Sequence, residues 1–420
     1  MKSILKKILV KILGGQVKRL RKKHDFKIIG VVGSMGKTST KIAIAKALMS
    51  CKRVRYQEGN YNDIVSVPLV FFGHKMPPIW NFLAWFRIFI KNEFQIFFNY
   101  PFDIVLVELG TDAPGQISQF RKYLHLDIAV LTSVALEHME FFETLHKVAE
   151  EEWSVSFFSD KVFVNKDLCQ IIPENIDYKK VLFYGKDFGS FYKIENISKT
   201  KNGFAFSISR EGKEIFNSSC EALSEVQLYS ICVAVSIADV LKLPLEEIKK
   251  NICGEISFSG RMRRLQGLKN STIIDDTYNA SPDAVKMALD TLYSFEAPQR
   301  IAILGMMNEL GEISENEHKK IGQYCNPKLL DLVVTIGKDA NNFLAPEARK
   351  AGCEVYEAKN STEAGIFLRD KVKTGAFILA KGSQNGVFAE EAIKPLLANQ
   401  SDISKLVRQD AEWMKKKGLV

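Results

Sequence analysis

The segment Gly33-Ser-Met-Gly-Lys-Thr-Ser39 constrains this chain more than any other feature. It sits between an apolar run, residues 27–32, that reads as a buried strand, and residues 38–49, whose pattern is helical. Glycines let the backbone turn tightly, so that successive N–H groups can face phosphate oxygens, and the following helix N-terminus adds a favourable dipole. In such a loop Lys37 reaches the β- and γ-phosphates and the Thr38 hydroxyl can bind Mg²⁺. The general form carries a glycine six residues before the lysine. That position is Val31 here, so the loop is a shortened variant. Gly33, Ser34, Gly36, Lys37, Thr38 and Ser39 are the candidate nucleotide contacts.

Further strand-like runs at 103–109 and 127–132, separated by helical stretches, predict a mostly parallel sheet covered by helices. Residues 181–220 look more β-rich and polar, and 222–252 read as two helices, the second starting near Pro244. From Arg261 the alternation restarts, with strands expected at 273–275, 301–304, 332–336 and 376–379. The expected fold is therefore α/β. A central P-loop ATPase-like domain spans 27–260, with an aromatic-rich insertion at 75–102, and a C-terminal Rossmann-like α/β domain spans 261–420.

The net charge of +9 is local. Residues 1–23 carry nine Lys/Arg and no acid, and 24–420 carry 49 basic and 49 acidic groups. A neutral body argues against nucleic acid as a partner. Residues 3–13 read as an amphipathic helix, with Ile4, Leu5, Ile8, Leu9, Ile12 and Leu13 at helical spacing, ended by Gly14-Gly15. Residues 79–100 hold nine aromatics among three charges. Two uses of these segments stay open: peripheral contact with the inner membrane face through 1–23 and 79–100, or plain packing on the sheet. No 18-residue apolar run and no signal-peptide pattern is present. Seven cysteines without a C-x-x-C pair read as thiols of a reducing cytoplasm, the expected location.

Five motifs, in order, resemble the Mur ligase superfamily from about residue 27 to the C-terminus. Residues 58–68 (EGNYNDIVSVP) are similar to its G-N-x-N-N-x-I-G-V-P segment, and Val107-Glu-Leu-Gly110 with Pro114-Gly115 to its E-L-G…P-G-x-I. Gly260-Arg-Met262 with 274–282 (IDDTYNASP) is similar to G-R-M…I-D-D-x-Y-N-A-N-P. Residues 305–311 (GMMNELG) with His318 match G-D-M-x-E-L-G…H, and Lys381-Gly-Ser383 matches K-G-S. The resemblance implies an ATP- and Mg²⁺-dependent ligase that joins a carboxylate to an amine through an acyl-phosphate. A cell-wall peptide precursor and a small amine such as D-Ala-D-Ala are the implied partners, and a monomer is expected. Lys37, Glu108, His138 and Glu152 are the implied catalytic residues. Thr38, Glu108, His138 and Glu152 are the implied magnesium ligands, and Arg261, Asp276 and Asn279 close over the nucleotide.

Three departures stand out. The 26 residues before the first strand are too few for the family's UDP-sugar domain, which is expected to be absent. Glu152 falls where the family carries a lysine that becomes carbamylated and helps hold the second magnesium. Val226, Gln227 and Ser230 replace the family's H-N-x-x-N pattern, and Ser133 stands where an Asn is usual. Alternatives are a ligase on a lipid-linked peptidoglycan or folate-type carboxylate, and a non-catalytic ATP-binding scaffold. A four-cysteine zinc insert, which the lipid-linked amidating ligases carry, has no counterpart in this sequence, and the second domain disfavours a plain P-loop kinase.

Overall fold

The computed structural model describes residues 2–57, 59, 61–201, 203–252 and 258–418. Glu58 and Asn60 of the 58–68 motif, and Cys253, lie outside the described residues. The chain divides into two compact units, residues 1–135 with 141–256, and 136–140 with 257–420.

The first unit carries nine strands: β1 (Lys27–Val32), β2 (Val54–Arg55), β3 (Ile104–Glu108), β4 (Leu126–Leu131), β5 (Ser159–Asn165), β6 (Val181–Gly185), β7 (Tyr192–Lys199), β8 (Phe204–Arg210) and β9 (Lys213–Cys220). Their order is β2-β3-β1-β4-β5-β6-β7-β8-β9. Pairing is parallel through β7, and the β7–β8 and β8–β9 pairs are antiparallel. Side chains alternate across the sheet. Ile29 and Val31 of β1 enter a core with Ala43, Ile44 and Ala47 of α2 (Lys37–Leu48). Ile28 and Val32 enter a second core with Val17 and Leu20 of α1 (Lys2–Lys23) and Phe71 of α3 (Val67–Phe72). Burial on both faces explains why β1 reads as a continuous apolar run.

The helix expected over 3–13 does not stop at Gly14-Gly15 but continues to Lys23. Glycine disfavours a helix by only about 1 kcal/mol per residue, and Leu9, Leu13, Val17 and Leu20, all buried, more than offset that. Gly14 also allows close approach, since a Cβ there would lie 3.0 Å from the Tyr123 side chain. The aromatic segment forms α4 (Phe82–Phe97), capped by Asn81. One face buries Trp85, Ile88, Asn92 and Ile96, and Gln16 of α1 donates to the Phe89 carbonyl and to Glu93. The other face leaves Phe82, Phe86, Phe94 and Phe97 about 60% exposed. The segment thus packs on the fold and also presents an apolar surface.

The second unit holds β10 (Arg263–Gln266), β11 (Thr272–Asp276), β12 (Arg300–Gly305), β13 (Leu332–Ile336), β14 (Val355–Ala358) and β15 (Phe377–Lys381), in the order β10-β11-β15-β12-β13-β14. Only the β10–β11 pair is antiparallel. No helix among the described residues is long and apolar enough to cross a membrane. The six described cysteines are all free.

Candidate active site

β1 lies between β3 and β4 and is parallel to both, so the carboxyl ends of three neighbouring strands lie side by side, the usual ligand position in a sheet of this type. The shortened loop leaves β1 there. Gly33 (φ +122°) and Gly36 (φ +81°) take left-handed backbone conformations, and a Cβ on Gly33 would lie 2.3 Å from the Thr132 hydroxyl. Residues after β4 brace the loop: Thr132 donates to the Met35 carbonyl at 2.6 Å, and the Ser133 hydroxyl accepts from Met35 N–H at 2.7 Å. Ser133 therefore supports the shape of the loop. The Lys37 ammonium folds over the loop onto the Gly33 and Ser34 carbonyls.

Glu108, at the end of β3, accepts from the Thr38 hydroxyl at 3.0 Å and forms an ion pair with Lys41 at 3.1 Å. Lys41 and Glu108 are both buried. The sequence reading missed Lys41. Its signal was a lysine one helical turn after Lys37, inside the otherwise small and apolar stretch of α2. Thr38 and Glu108 supply two oxygens side by side, a donor set suited to Mg²⁺. Among the described residues no three His, Cys, Asp or Glu side chains cluster as a ready metal cage. Mg²⁺ commonly takes one or two protein carboxylates and completes its shell with water and phosphate, so the pair fits it.

After α5 (Gln116–Phe120) and α6 (Met139–Phe142) comes α7 (Leu145–Trp153), capped by Thr144, which accepts from Lys147 N–H. Of its three consecutive glutamates only Glu150 faces solvent. Glu151 accepts from the amides of Gly115 and Ile117, both at 2.6 Å, capping α5. Glu152, 1% exposed, accepts from Gly33 N–H at 2.7 Å, so its carboxylate is aimed at the phosphate loop.

The remaining candidates belong to the second unit. His138 Nδ1 lies 2.7 Å from Glu309 Oε2, and this contact holds the Glu309 carboxyl below its ordinary value. Both residues have positive φ, +49° and +65°, a strained choice for side-chain-bearing residues that clusters at functional sites. Asp276 pairs with the buried Lys381 ammonium at 2.5 Å and accepts from Met262 N–H. Lys381 also donates to the Asn279 carbonyl at 2.9 Å. The Arg261 guanidinium stacks 3.9 Å from the Tyr278 ring centroid, and its buried Nε has no hydrogen-bond partner among the described residues.

His318, on a helix spanning Ser314–Tyr324, is a scaffold residue. Nε2 accepts from Met307 N–H at 3.0 Å and Nδ1 faces the Ser314 carbonyl at 2.8 Å, which assigns a neutral ring protonated on Nδ1. Burial lowers its pKa. The unfolded chain takes up a proton near pH 6.5 that the folded ring resists, so stability falls as pH drops through that value. Asp275 acts oppositely, its carboxyl pushed up by burial to about 6. The difference between wild type and His318→Gln isolates the histidine: chemical denaturation is expected to show the variant losing less stability than wild type between pH 7 and 5.

Family models match the chain twice, as the Mur ligase middle domain over residues 91–238 and the Mur ligase, glutamate ligase domain over 260–384. The chain belongs to the Mur ligase family and is an ATP-dependent ligase forming carbon–nitrogen bonds. It is 27% identical over 380 residues to the UDP-N-acetylmuramoyl-tripeptide–D-alanyl-D-alanine ligase of Bacillus subtilis, covering 88% of this chain and 76% of that protein. The ligase of the same name from Haemophilus influenzae is also 27% identical, with coverages of 78% and 67%. In fold the chain resembles the MurF ligase of Thermotoga maritima solved in complex with ADP. The TM-score is 0.72 at 22% identity, over 92% of this chain and 84% of that one.

Proposed function

We propose that this chain ligates D-Ala-D-Ala, or a close analogue, to the carboxylate of a cell-wall peptide precursor. An acceptor oxygen attacks the γ-phosphorus of ATP and ADP departs. The amine then attacks the acyl carbon, and phosphate leaves carrying the former acceptor oxygen. Such a reaction needs neutralised charge and aligned reactants more than covalent help. The observation that carries the reading is the Thr38–Glu108 contact beside Lys37 at the end of β1. The names of the relatives support the amine and the peptide acceptor. Thr38 and Glu108 would hold Mg²⁺, which supplies charge neutralisation at the phosphates. The orphaned Nε of Arg261 and the Asp276–Lys381 pair support a nucleotide role for the second unit. A screen of soluble and lipid-linked peptide carboxylates tests this: one of them should release phosphate only when ATP and D-Ala-D-Ala are both present. Release from no acceptor would sink the assignment.

Glu152 supplies a fixed carboxylate where the family uses a modified lysine, and its hold on Gly33 N–H makes it act on loop and cation together. Activity should be indifferent to added bicarbonate. Glu152→Gln should raise the Mg²⁺ concentration needed for half-maximal turnover by about tenfold, the range typical of residues that support a metal site. An unchanged magnesium titration would remove Glu152 from the site.

Peripheral membrane contact is part of the same reading. Phe82, Phe86, Ile90, Phe94 and Phe98 recur every four residues along one exposed face, and Ile4, Ile8 and Ile12 are exposed on lysine-bearing α1. Because α1 is built into the core, removing it would damage the fold, so surface substitutions are the sounder probe. The full chain is expected to co-sediment with phosphatidylglycerol vesicles at low salt. The quadruple change Phe82→Ser, Phe86→Ser, Phe94→Ser, Phe97→Ser should weaken this at least a hundredfold, since each buried Phe contributes about 1.5–3 kcal/mol. Equal sedimentation would refute the contact.

A further inference from the structure

Helix α1 uses its basic residues in two ways. Arg19 pairs with Glu93, Arg21 with Asp127, and Lys23 donates to the Phe97 carbonyl. Lys6, Lys7, Lys11 and Lys18 enter no ion pair or side-chain hydrogen bond with the described residues. These four, with Lys122 from the turn after α5, line one cavity of about 590 Å³. The lining holds no carboxylate. Gly14, Gly15 and Gln119 complete its lining together with the apolar side chains of Val10, Ile64 and Tyr123. A Cβ on Gly15 would meet nothing within 4 Å, so that backbone borders open space.

Five lysines border one concave surface with no acid among its lining, so their summed charge attracts an anion to it. All five only donate, so the occupant must supply acceptor oxygens, and lysine serves phosphate as a point charge. The volume suits a small molecule rather than a polymer. Residues 24–420 balance their charges, so the basic surplus of the chain is concentrated in the segment that builds this groove. We propose that this groove is a binding site for a phosphate or diphosphate group, separate from the loop at Gly33–Ser39. The apolar side chains favour a group borne on a molecule with a nonpolar part.

The proposal stands apart from the ligase reading, and so does its test. The full chain is titrated with inorganic diphosphate at low salt by calorimetry. Two sites are expected. Gly15→Trp, which fills the groove without changing its charge, should remove one site and keep the other, and Lys37→Ala should do the reverse. Lys11→Gln with Lys18→Gln should weaken the groove site by about tenfold or more, whereas Lys213→Gln, an exposed lysine elsewhere, should not. A Gly15→Trp protein that binds diphosphate with wild-type stoichiometry and affinity overturns the site, even if ATP turnover is intact. Competition then names the source. Displacement by phosphatidic acid vesicles but not phosphatidylcholine vesicles marks a lipid headgroup, and displacement by glycerol phosphate alone marks a soluble ester.

Discussion

Lys37→Ala is expected to lower acceptor-dependent phosphate release by about 10²–10³, the usual cost of losing one preorganised electrostatic stabiliser of a developing charge. The ammonium donates to two backbone carbonyls of its own loop, Gly33 and Ser34, and stays part-exposed. Because a part-exposed lysine strands little buried charge or volume when truncated, thermal stability should stay near wild type. Lys37→Arg should not rescue, because a planar fork does not replace a compact point charge in a loop this tight. Single-turnover phosphate release and a melting curve on the same preparations separate lost chemistry from lost fold. Turnover near wild type in Lys37→Ala would contradict the role given to this loop.

Glu108→Ala should have a large effect of a different kind. Glu108 and Lys41 form an ion pair at 3.1 Å with side chains 5% and 2% exposed. Deleting the acid strands a buried ammonium, which typically costs about 3–5 kcal/mol. Activity should vanish with it, because the Thr38 hydroxyl loses its carboxylate neighbour. Combining Glu108→Ala with Lys41→Met removes the stranded charge, so most of the stability should return and the activity should not. A double variant as unstable as Glu108→Ala would show that Lys41 is not the source of the penalty. Recovered activity would show that Glu108 is not needed for chemistry.

The parts of this fold legible in the sequence were those whose signal is local. β1, β3, β4 and β13 are short apolar runs buried on both faces, and the structure places them within a residue or two of the expected bounds. β5 was missed because it opens on Ser159-Asp160-Lys161, polar residues that only its position next to β4 makes a strand. Gly14-Gly15 misled for the converse reason: a local stop signal was overruled by packing of Leu13, Val17 and Leu20 far along the chain. The site shows the same division. Lys37 and Thr38 were legible from spacing, and Glu108 from a motif. The bond from Gly33 N–H to Glu152 spans 119 residues, and nothing within either segment announces it. Lys41 and Glu309 were passed over because a lysine on a helix and a glutamate in a loop usually face solvent. Burial and strained backbone, not residue type, set them apart.

The route of one oxygen atom tests the central claim most directly. If the acceptor carboxylate attacks ATP, an acceptor labelled with ¹⁸O in that carboxylate must pass one labelled oxygen to the phosphate released on ligation. Mass spectrometry of that phosphate, with ATP, Mg²⁺ and D-Ala-D-Ala present, is expected to show one ¹⁸O per turnover and the amide product to retain the other. Phosphate free of label, alongside genuine product, would mean that the bond forms without an acyl-phosphate.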